Sequence, residues 1–273
     1  MKGEPANRPP KDIFSLTVIS LISIYLLLPL LLTFFYSLFR QWNTILPKNF
    51  TLEHYVRLFA DGAFLAPLIR TVVISFLPVA ICAAAVLMAV YVTSIIHPGL
   101  EKYIQIICTI PYALQGVILA ISVLSLYSGM PLPFSNRIVM LVGTYCVVIL
   151  PYMYRGIQNS LTAVDAKSLM SAAQLLGLSH FGAYVKVIVP NIVKGIKVSV
   201  MLSVALLFGD FVIVNIIGGS YYTTAQTYLY HHLMHKSGQR ASALIVVMFI
   251  VTLIISASAF TERKKKLPEA EGE

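Results

Sequence analysis

Long stretches of this chain contain no Asp, Glu, Lys or Arg. Ile13–Phe39, Thr71–Leu100, Tyr103–Asn136 and Ala241–Thr261 are all free of charge. Each holds at least the ~20 residues that an α-helix needs to cross a bilayer. Ile138–Tyr154 is shorter, but Arg137 and Arg155 flank it and their long stems can snorkel to the two interfaces. A further apolar stretch, 196–217, is interrupted by Asp210. Only 11% of the residues are charged and 58% are hydrophobic, whereas soluble domains carry about 25% charged residues. These runs predict an all-α integral membrane protein, a bundle of six transmembrane helices, because a helix satisfies its own backbone polar groups in hydrocarbon.

The three cysteines, Cys82, Cys108 and Cys146, fall inside these runs. They read as small buried hydrophobes rather than a disulfide framework or a thiolate metal site. The first apolar run is longer than the ~7–15 residues of a cleavable signal core, so it reads as a span. With six spans both termini lie on one side. If that side is the cytoplasm, Arg40, Lys48, Arg57, Arg70, Arg137, Lys236 and Arg240 lie outside and the other thirteen Lys and Arg inside. That bias favours cytoplasmic termini. It also explains the formal net charge of +9 without any nucleic-acid partner. Arg263 to Lys266 then form a membrane-surface anchor.

Residues 165–190 do not read as a span. Asp165 is placed to cap a helix of strong formers from Ala166 to Leu176. Gly177 follows where a left-handed residue ends a helix. Ser179 is placed to cap a second helix, and Pro190 to close it. Leu169, Ala172, Ala173 and Leu176 share one predicted face of the first helix, and Leu178, Phe181, Val185 and Ile188 one face of the second.

Ser171-Ala172-Ala173, three residues, Gly177, then Val187-x-Val189-Pro190 resembles the EAA loop of the permease subunits of binding-protein-dependent ABC importers. In that pattern Glu is usual where Ser171 stands. Pro151, Arg155 and Leu161 resemble the approach to the loop in importers of polyamines, thiamine, ferric iron and phosphonates. The resemblance covers about residues 50–260. It implies a cytoplasmic helix-turn-helix (residues 160–190 with its flanks) whose Ser171, Ala172, Ala173, Gly177 and Pro190 couple to an ATPase. It also implies the partners: a second permease subunit, copy or paralogue; two cytoplasmic ATP-binding subunits; an extracytoplasmic solute-binding protein; and the lipid of a bacterial inner membrane. Residues 1–12 would be a cytoplasmic tail, 13–260 the permease domain and 261–273 a charged cytoplasmic tail.

The chain has no Gly-x4-Gly-Lys-Ser/Thr, so it lacks a phosphate-cradling loop of its own. No catalytic residue or cofactor is expected, and ATP would be used by the partner. Asp210 is the informative residue within the spans, because a mid-membrane carboxylate costs roughly 2.5–3.5 kcal/mol on insertion scales and usually faces a cavity or the bundle interior. Gly209-Asp210-Phe211, Asn215 and Gly218-Gly219 resemble the fifth-helix segment of thiamine- and phosphonate-type permeases. Asp210 and Asn215 are therefore candidates for the translocation path or gate, with a structural hydrogen-bonding role the competing reading for Asp210. The resemblance leans to polyamine-like or aminophosphonate substrates.

His231 and His235 have a spacing that can bind metal on a helix, but solvated outer-loop histidines fit as well, and no metal site is expected. Tyr221, Tyr222, Tyr228 and Tyr230 read as an interfacial aromatic belt, with a cage for an organic cation as the alternative. A self-contained secondary transporter or channel, or a membrane-embedded enzyme, would need more paired charges or clustered His and acidic groups than this sequence holds.

Overall fold

The structure, a computed structural model, describes residues 13–42, 48–60, 62–114, 116–233 and 238–260. It divides into two compact units, one of residues 1–60 and 233–248, the other of 61–232 and 249–273.

The first unit holds α1 (Ile13–Ser37), a short antiparallel hairpin of β1 (Phe39–Gln41) and β2 (Lys48–Phe50), and α2 (Glu53–Ala60). The side chains of α1 described within Leu16–Ser37 are nearly all exposed. A helix apolar all round and unburied by its own chain is one that lipid or another subunit surrounds. Its C-terminal end is held by the Ser37 hydroxyl, which lies 2.6 Å from the Tyr55 hydroxyl of α2. The hairpin was not expected from sequence. Phe39 pairs with Phe50 across it, their rings edge-on at 6.1 Å, an aromatic cross-strand pair of the kind that stabilises hairpins.

The second unit is helical. It runs through α3 (Gly62–Tyr91), α4 (Glu101–Thr109), α5 (Gly116–Tyr127), α6 (Arg137–Ala163), α7 (Ala166–Leu175), α8 (His180–Ala183), α9 (Val189–Phe208) and α10 (Ala225–Tyr228). α11 (Gly238–Phe260) follows, beginning within the first unit. Five helices among the described residues are long and apolar enough to cross a membrane, and six if one bent pair counts as a single span.

That bent pair is the third span, and it is interrupted at Pro111, where the sequence leads one to expect an interruption in its first half. The helical run Pro98–Ala113 and α5 meet at 99°. Pro111 sits in a tight 3-10 turn, and Leu114 is extended (φ −97°, ψ 110°), so the hydrogen-bond ladder stops there. The fourth span differs: α6 continues past Arg155 to Ala163 instead of ending at Tyr154. The two tails, 1–12 and 261–273, lie outside the described residues.

α3, α6 and α9 carry the core. Val86, Val90, Tyr145, Ile149, Met153, Ile157 and Val204 are buried among them. Cys82 and Cys108 are buried and free, and the Cys146 thiol donates to the Pro78 carbonyl at 3.5 Å, as expected of packing cysteines.

α6 and α9 cross where each offers a glycine to a serine of the other. A Cβ on Gly156 would lie 2.9 Å from the Ser199 Cβ, and one on Gly195 would lie 2.7 Å from the Ser160 Cβ. Small residues four apart on both helices let two backbones approach this closely. Each serine hydroxyl returns to the glycine carbonyl one turn earlier on its own helix, Ser160 to Gly156 at 2.8 Å and Ser199 to Gly195 at 3.0 Å. No hydroxyl is stranded in the contact. Replacing Gly156 or Gly195 by Leu is expected to destabilise the protein by about 1–3 kcal/mol through overpacking. Thermal unfolding of the detergent-solubilised protein would read it, and an unchanged melting temperature for both variants would refute the close crossing.

Candidate functional site: the α7–α8 connector and the break in the fifth span

The connector between α6 and α9 is built much as its residues dictate at its turn. The Leu178 N–H donates to the Ala173 carbonyl at 3.2 Å and the Gly177 N–H to the Gln174 carbonyl at 2.9 Å. This paired closure needs a left-handed residue after the helix, and Gly177 has φ +89°. Ser179 caps α8 by accepting from the Gly182 N–H at 3.2 Å. Gln174 reaches across the turn to His180 Nδ1 at 2.7 Å.

Asp165 behaves otherwise than expected. It is itself left-handed (φ +46°), and its carboxylate accepts from the Ser168 hydroxyl at 2.6 Å rather than from a backbone N–H. The turn out of α6 uses Asp165 for its backbone conformation, which Asp tolerates better than most residues.

Pro190 does not close a helix. Residues 180–208 form one continuous helical run, with a π-turn over Tyr184–Ile188 directly before α9. Pro190 lies just past that π-turn, the kind of local adjustment by which a helix takes up a residue without an N–H. The second connector helix is therefore the opening of the fifth span, which starts well before residue 196.

The expected faces also shift. In α7 the buried residues are Met170 and Ala173, while Ala172 is exposed and Leu176 is 86% exposed beside Leu175 at 89%. Of the second set Ile188 is buried, but Phe181 and Val185 are largely exposed. The π-turn advances the helix by an extra residue and so moves the apolar stripe round. The tip of the connector presents two bare leucines.

Sequence reasoning missed Tyr184. It is buried, donates its hydroxyl to the Leu87 carbonyl of α3 at 2.8 Å, and packs on Tyr91 with ring centroids 4.9 Å apart. Tyr91 also meets Phe181 edge-on at 5.5 Å. This cluster ties the connector to α3. Its only trace in the sequence is an aromatic inside an apolar stretch, which any core residue would give. Beside it, a cleft of about 580 Å³ opens, lined in part by Ser171, Gln174 and Tyr184.

The second candidate region is the break after α9. Helix ends in hydrocarbon leave backbone groups without water, so other groups of the protein must satisfy them. Gln226 donates its side-chain amide to the carbonyl of Phe208. Asp210 Oδ2 accepts from Ile213 N–H at 3.0 Å and from the Tyr145 hydroxyl of α6 at 2.9 Å. Asp210 thus caps the next helical turn, and Tyr145 is fully buried behind it. Sequence reasoning missed this cap, although Gly-Asp in mid-span is a stop followed by a start and could have signalled it. Asn215, four residues on from Phe211, lies 3.1 Å from His231 through its side-chain oxygen. Phe211 packs on Tyr230 at 4.9 Å.

His235 lies outside the described residues, and among the described residues no three His, Cys, Asp or Glu side chains gather as a metal site. The four tyrosines do not converge on one cage. Arg137 lies 5.6 Å over Tyr221 and Arg70 5.8 Å over Tyr222, while Tyr228 packs on Phe64 and Tyr230 on Phe211. Burial pushes the Tyr222 phenol above its usual range, and the Arg70 guanidinium partly opposes this.

Residues 77–264 match the model of a family described as binding-protein-dependent transport system inner membrane component. The chain belongs to that family. As an ABC importer permease, it is 25% identical over 195 residues to PhnV of Salmonella typhimurium, named for a 2-aminoethylphosphonate transport system, across 70% of this chain and 71% of the relative. It is 24% identical over 185 residues to a Mycoplasma pneumoniae homologue of PotC, a spermidine/putrescine transport system permease, across 67% and 64% of the two chains. Its fold is similar to a chain of a bacterial ABC transporter that imports alginate (TM-score 0.68, 16% identity, 93% of this permease and 96% of that chain). It is also similar to one of the methionine transporter MetNI (TM-score 0.60, 16% identity, 77% and 96%).

Substitutions at two residues test the geometry. Tyr184→Phe is expected to cost about 1 kcal/mol, the net value of one hydrogen bond, and Tyr184→Ala about 3–5 kcal/mol as a large core truncation. Asp210→Ala is expected to cost about 1–3 kcal/mol, because it removes a cap and leaves the Tyr145 hydroxyl unpaired. Denaturant midpoints of the purified protein would report both, and wild-type values for Tyr184→Ala and Asp210→Ala would contradict these contacts.

Proposed function

We propose that this permease forms half of the translocation path of an ATP-driven importer and takes force from a separate ATP-binding subunit through residues 165–190. The observation that carries this reading is the connector itself. Its turn is closed by Gly177, its tip exposes Leu175 and Leu176, and its base is tied to α3 through Tyr184. A partner seated on the leucines would move α6, α9 and α3 together. Two bundle packings that alternate under that load open the path to one side at a time.

In this reading Ala172, Ala173 and Ser171 lie on the docking helix, and both termini and the connector are cytoplasmic, as the Lys and Arg bias favours. A second permease subunit completes the path, two ATP-binding subunits hydrolyse ATP, and an extracytoplasmic binding protein delivers solute. The substrate is a small solute bearing a primary ammonium, the group shared by 2-aminoethylphosphonate, spermidine and putrescine, for which the relatives are named. Asp210 and Asn215 line the path or gate, and the Asp210 carboxylate favours the cation.

Two experiments in proteoliposomes holding the whole importer test this. Gly177→Val places a β-branched residue at φ +89°, which is strained whatever the space. It should abolish binding-protein-stimulated ATP hydrolysis while the permease still inserts, and full stimulation would refute the coupling role. Asp210→Asn retains the shape of the cap but not its charge. It should lower uptake of an ammonium-bearing substrate at least about tenfold, the scale of one charge-assisted contact. Uptake at the wild-type rate would confine Asp210 to its structural cap.

A further inference from the structure

The short helix α4 (Glu101–Thr109) and the residue after it divide into three edges. Ile104 and Cys108 form the first, one packed against the core and the other buried in it. Lys102, Gln105 and Thr109 form a polar edge. Lys102 and Gln105 are exposed there, and the Thr109 hydroxyl donates to the Gln105 carbonyl at 2.7 Å. Tyr103, Ile106, Ile107 and Ile110 form an apolar edge, and each of them is more than half exposed. At 3.6 residues per turn the centres of these edges lie about 120° apart around the axis. A helix on the surface of a soluble core has two faces, one apolar and buried and one polar. The third edge of α4, apolar and bare, calls for an apolar medium directly beside a wet one.

The place of α4 in the fold says which medium that is. The run Pro98–Ala113 meets α5 at 99°, and α5 packs against α6 and the Val214–Gly218 turn of the fifth span. With α5 crossing the bilayer, α4 lies close to the membrane plane. Both ends of the run meet α6 over one short stretch. Gln158 donates to Glu101 at the start. At the far end Tyr112 meets Tyr152 edge-on at 5.3 Å, and the Arg155 guanidinium lies 5.2 Å over the Tyr112 ring. On α6, Arg137 and Arg155 are separated by roughly 27 Å at 1.5 Å per residue, close to the thickness of the hydrocarbon core. α4 is therefore level with the boundary where α6 leaves the hydrocarbon, among the Arg and Tyr side chains that gather at such boundaries.

A helix at that level with one polar and one apolar edge lies along the membrane surface, its apolar side sunk about 5–10 Å into the boundary between headgroups and acyl chains. The polar edge then faces water, and the core edge faces α6. One orientation thus gives all three edges the surroundings that suit them. In a rod crossing the bilayer, Gln105 would instead be left in hydrocarbon.

We propose that α4 is a membrane-surface foot, seated in the acyl chains of the cytoplasmic leaflet through Tyr103, Ile106, Ile107 and Ile110. Its partner is lipid. This goes beyond the coupling reading and takes from it only the cytoplasmic side. The foot holds the third span at the leaflet directly before Pro111, where the hydrogen-bond ladder of that span stops.

The test uses the whole importer in nanodiscs, with Ile106→Cys and Gln105→Cys each labelled by an environment-sensitive maleimide fluorophore. Cys82 and Cys108 are buried, and the unsubstituted protein taken through the same labelling gives the background. Lipid with a doxyl quencher near the headgroup end of its acyl chain should remove at least about half of the Ile106→Cys signal, as the depth of an interfacial helix requires. It should leave Gln105→Cys largely unquenched, and aqueous iodide should do the reverse. An Ile106→Cys label quenched by neither agent overturns the proposal, because protein such as the second permease subunit then covers the apolar edge. Quenching of that label by iodide overturns it too, because the edge then faces water. Equal doxyl quenching at both positions makes α4 a rod inside the bilayer and has the same result. Ile107→Cys, on the same edge, takes the place of Ile106→Cys if that variant does not assemble.

Sidedness is read separately in oriented membrane vesicles. A membrane-impermeant maleimide should reach Gln105→Cys from the cytoplasmic side alone. Reaction from the outer side alone overturns the proposal together with the sidedness of the coupling reading. A failed quenching pattern with reaction from the cytoplasmic side overturns the foot and leaves the coupling reading standing.

Discussion

The near contact of α6 and α9 is the constraint from which the rest of the second unit follows. Without a hydrophobic drive between helices in lipid, association depends on close packing. The reciprocal Gly156–Ser199 and Gly195–Ser160 contacts supply it. These two helices are also the ones that the α7–α8 connector joins. The crossing on α6 begins at Gly156, within two turns of where that helix ends, and on α9 it begins at Gly195 soon after the π-turn. The connector is therefore a short clasp on a tight pair, and Tyr184 adds α3 to it. A displacement of the clasp has little slack in which to dissipate.

The same physics governs the interruptions. A broken helix in a membrane survives only where neighbours satisfy its freed groups. At the end of α9 Gln226 meets the last carbonyl, and Asp210 with Tyr145 meets the next N–H groups. The π-turn before Pro190 is a related adjustment, since it lets one helix absorb a residue that lacks an N–H. The cleft beside the connector stands apart, because two of its lining residues, Ser94 and Gln158, carry buried polar atoms with no partner among the described residues.

Much of the connector was legible residue by residue. Gly177 and Ser179 act through local backbone geometry, and both perform the roles their chemistry predicts. Asp165 and Pro190 were misread because each residue type has two local uses, cap or left-handed turn for Asp, helix stop or a place beside a π-turn for Pro. Neighbouring helices chose between them. Asp210 was recognisable as anomalous from its charge, but its partner Tyr145 lies sixty-five residues away, and no local pattern joins the two. Asn215 meets His231 in the same way.

Charge-free length by itself determined that this chain is a helical membrane protein, because hydrocarbon forbids unpaired backbone and helices pair their own. Helix formers followed by Gly177 determined where it carries a turn, because a left-handed residue costs least without a Cβ. Only the tertiary structure decided which faces are buried, that the third span is broken at nearly a right angle, and that Leu175 and Leu176 stand bare. It alone brought Ser94, Glu101 and Gln158 to the lining of one cleft. Those outcomes depend on helix rotation and on contacts between distant residues, and a π-turn or a single glycine pair resets both without altering the local pattern.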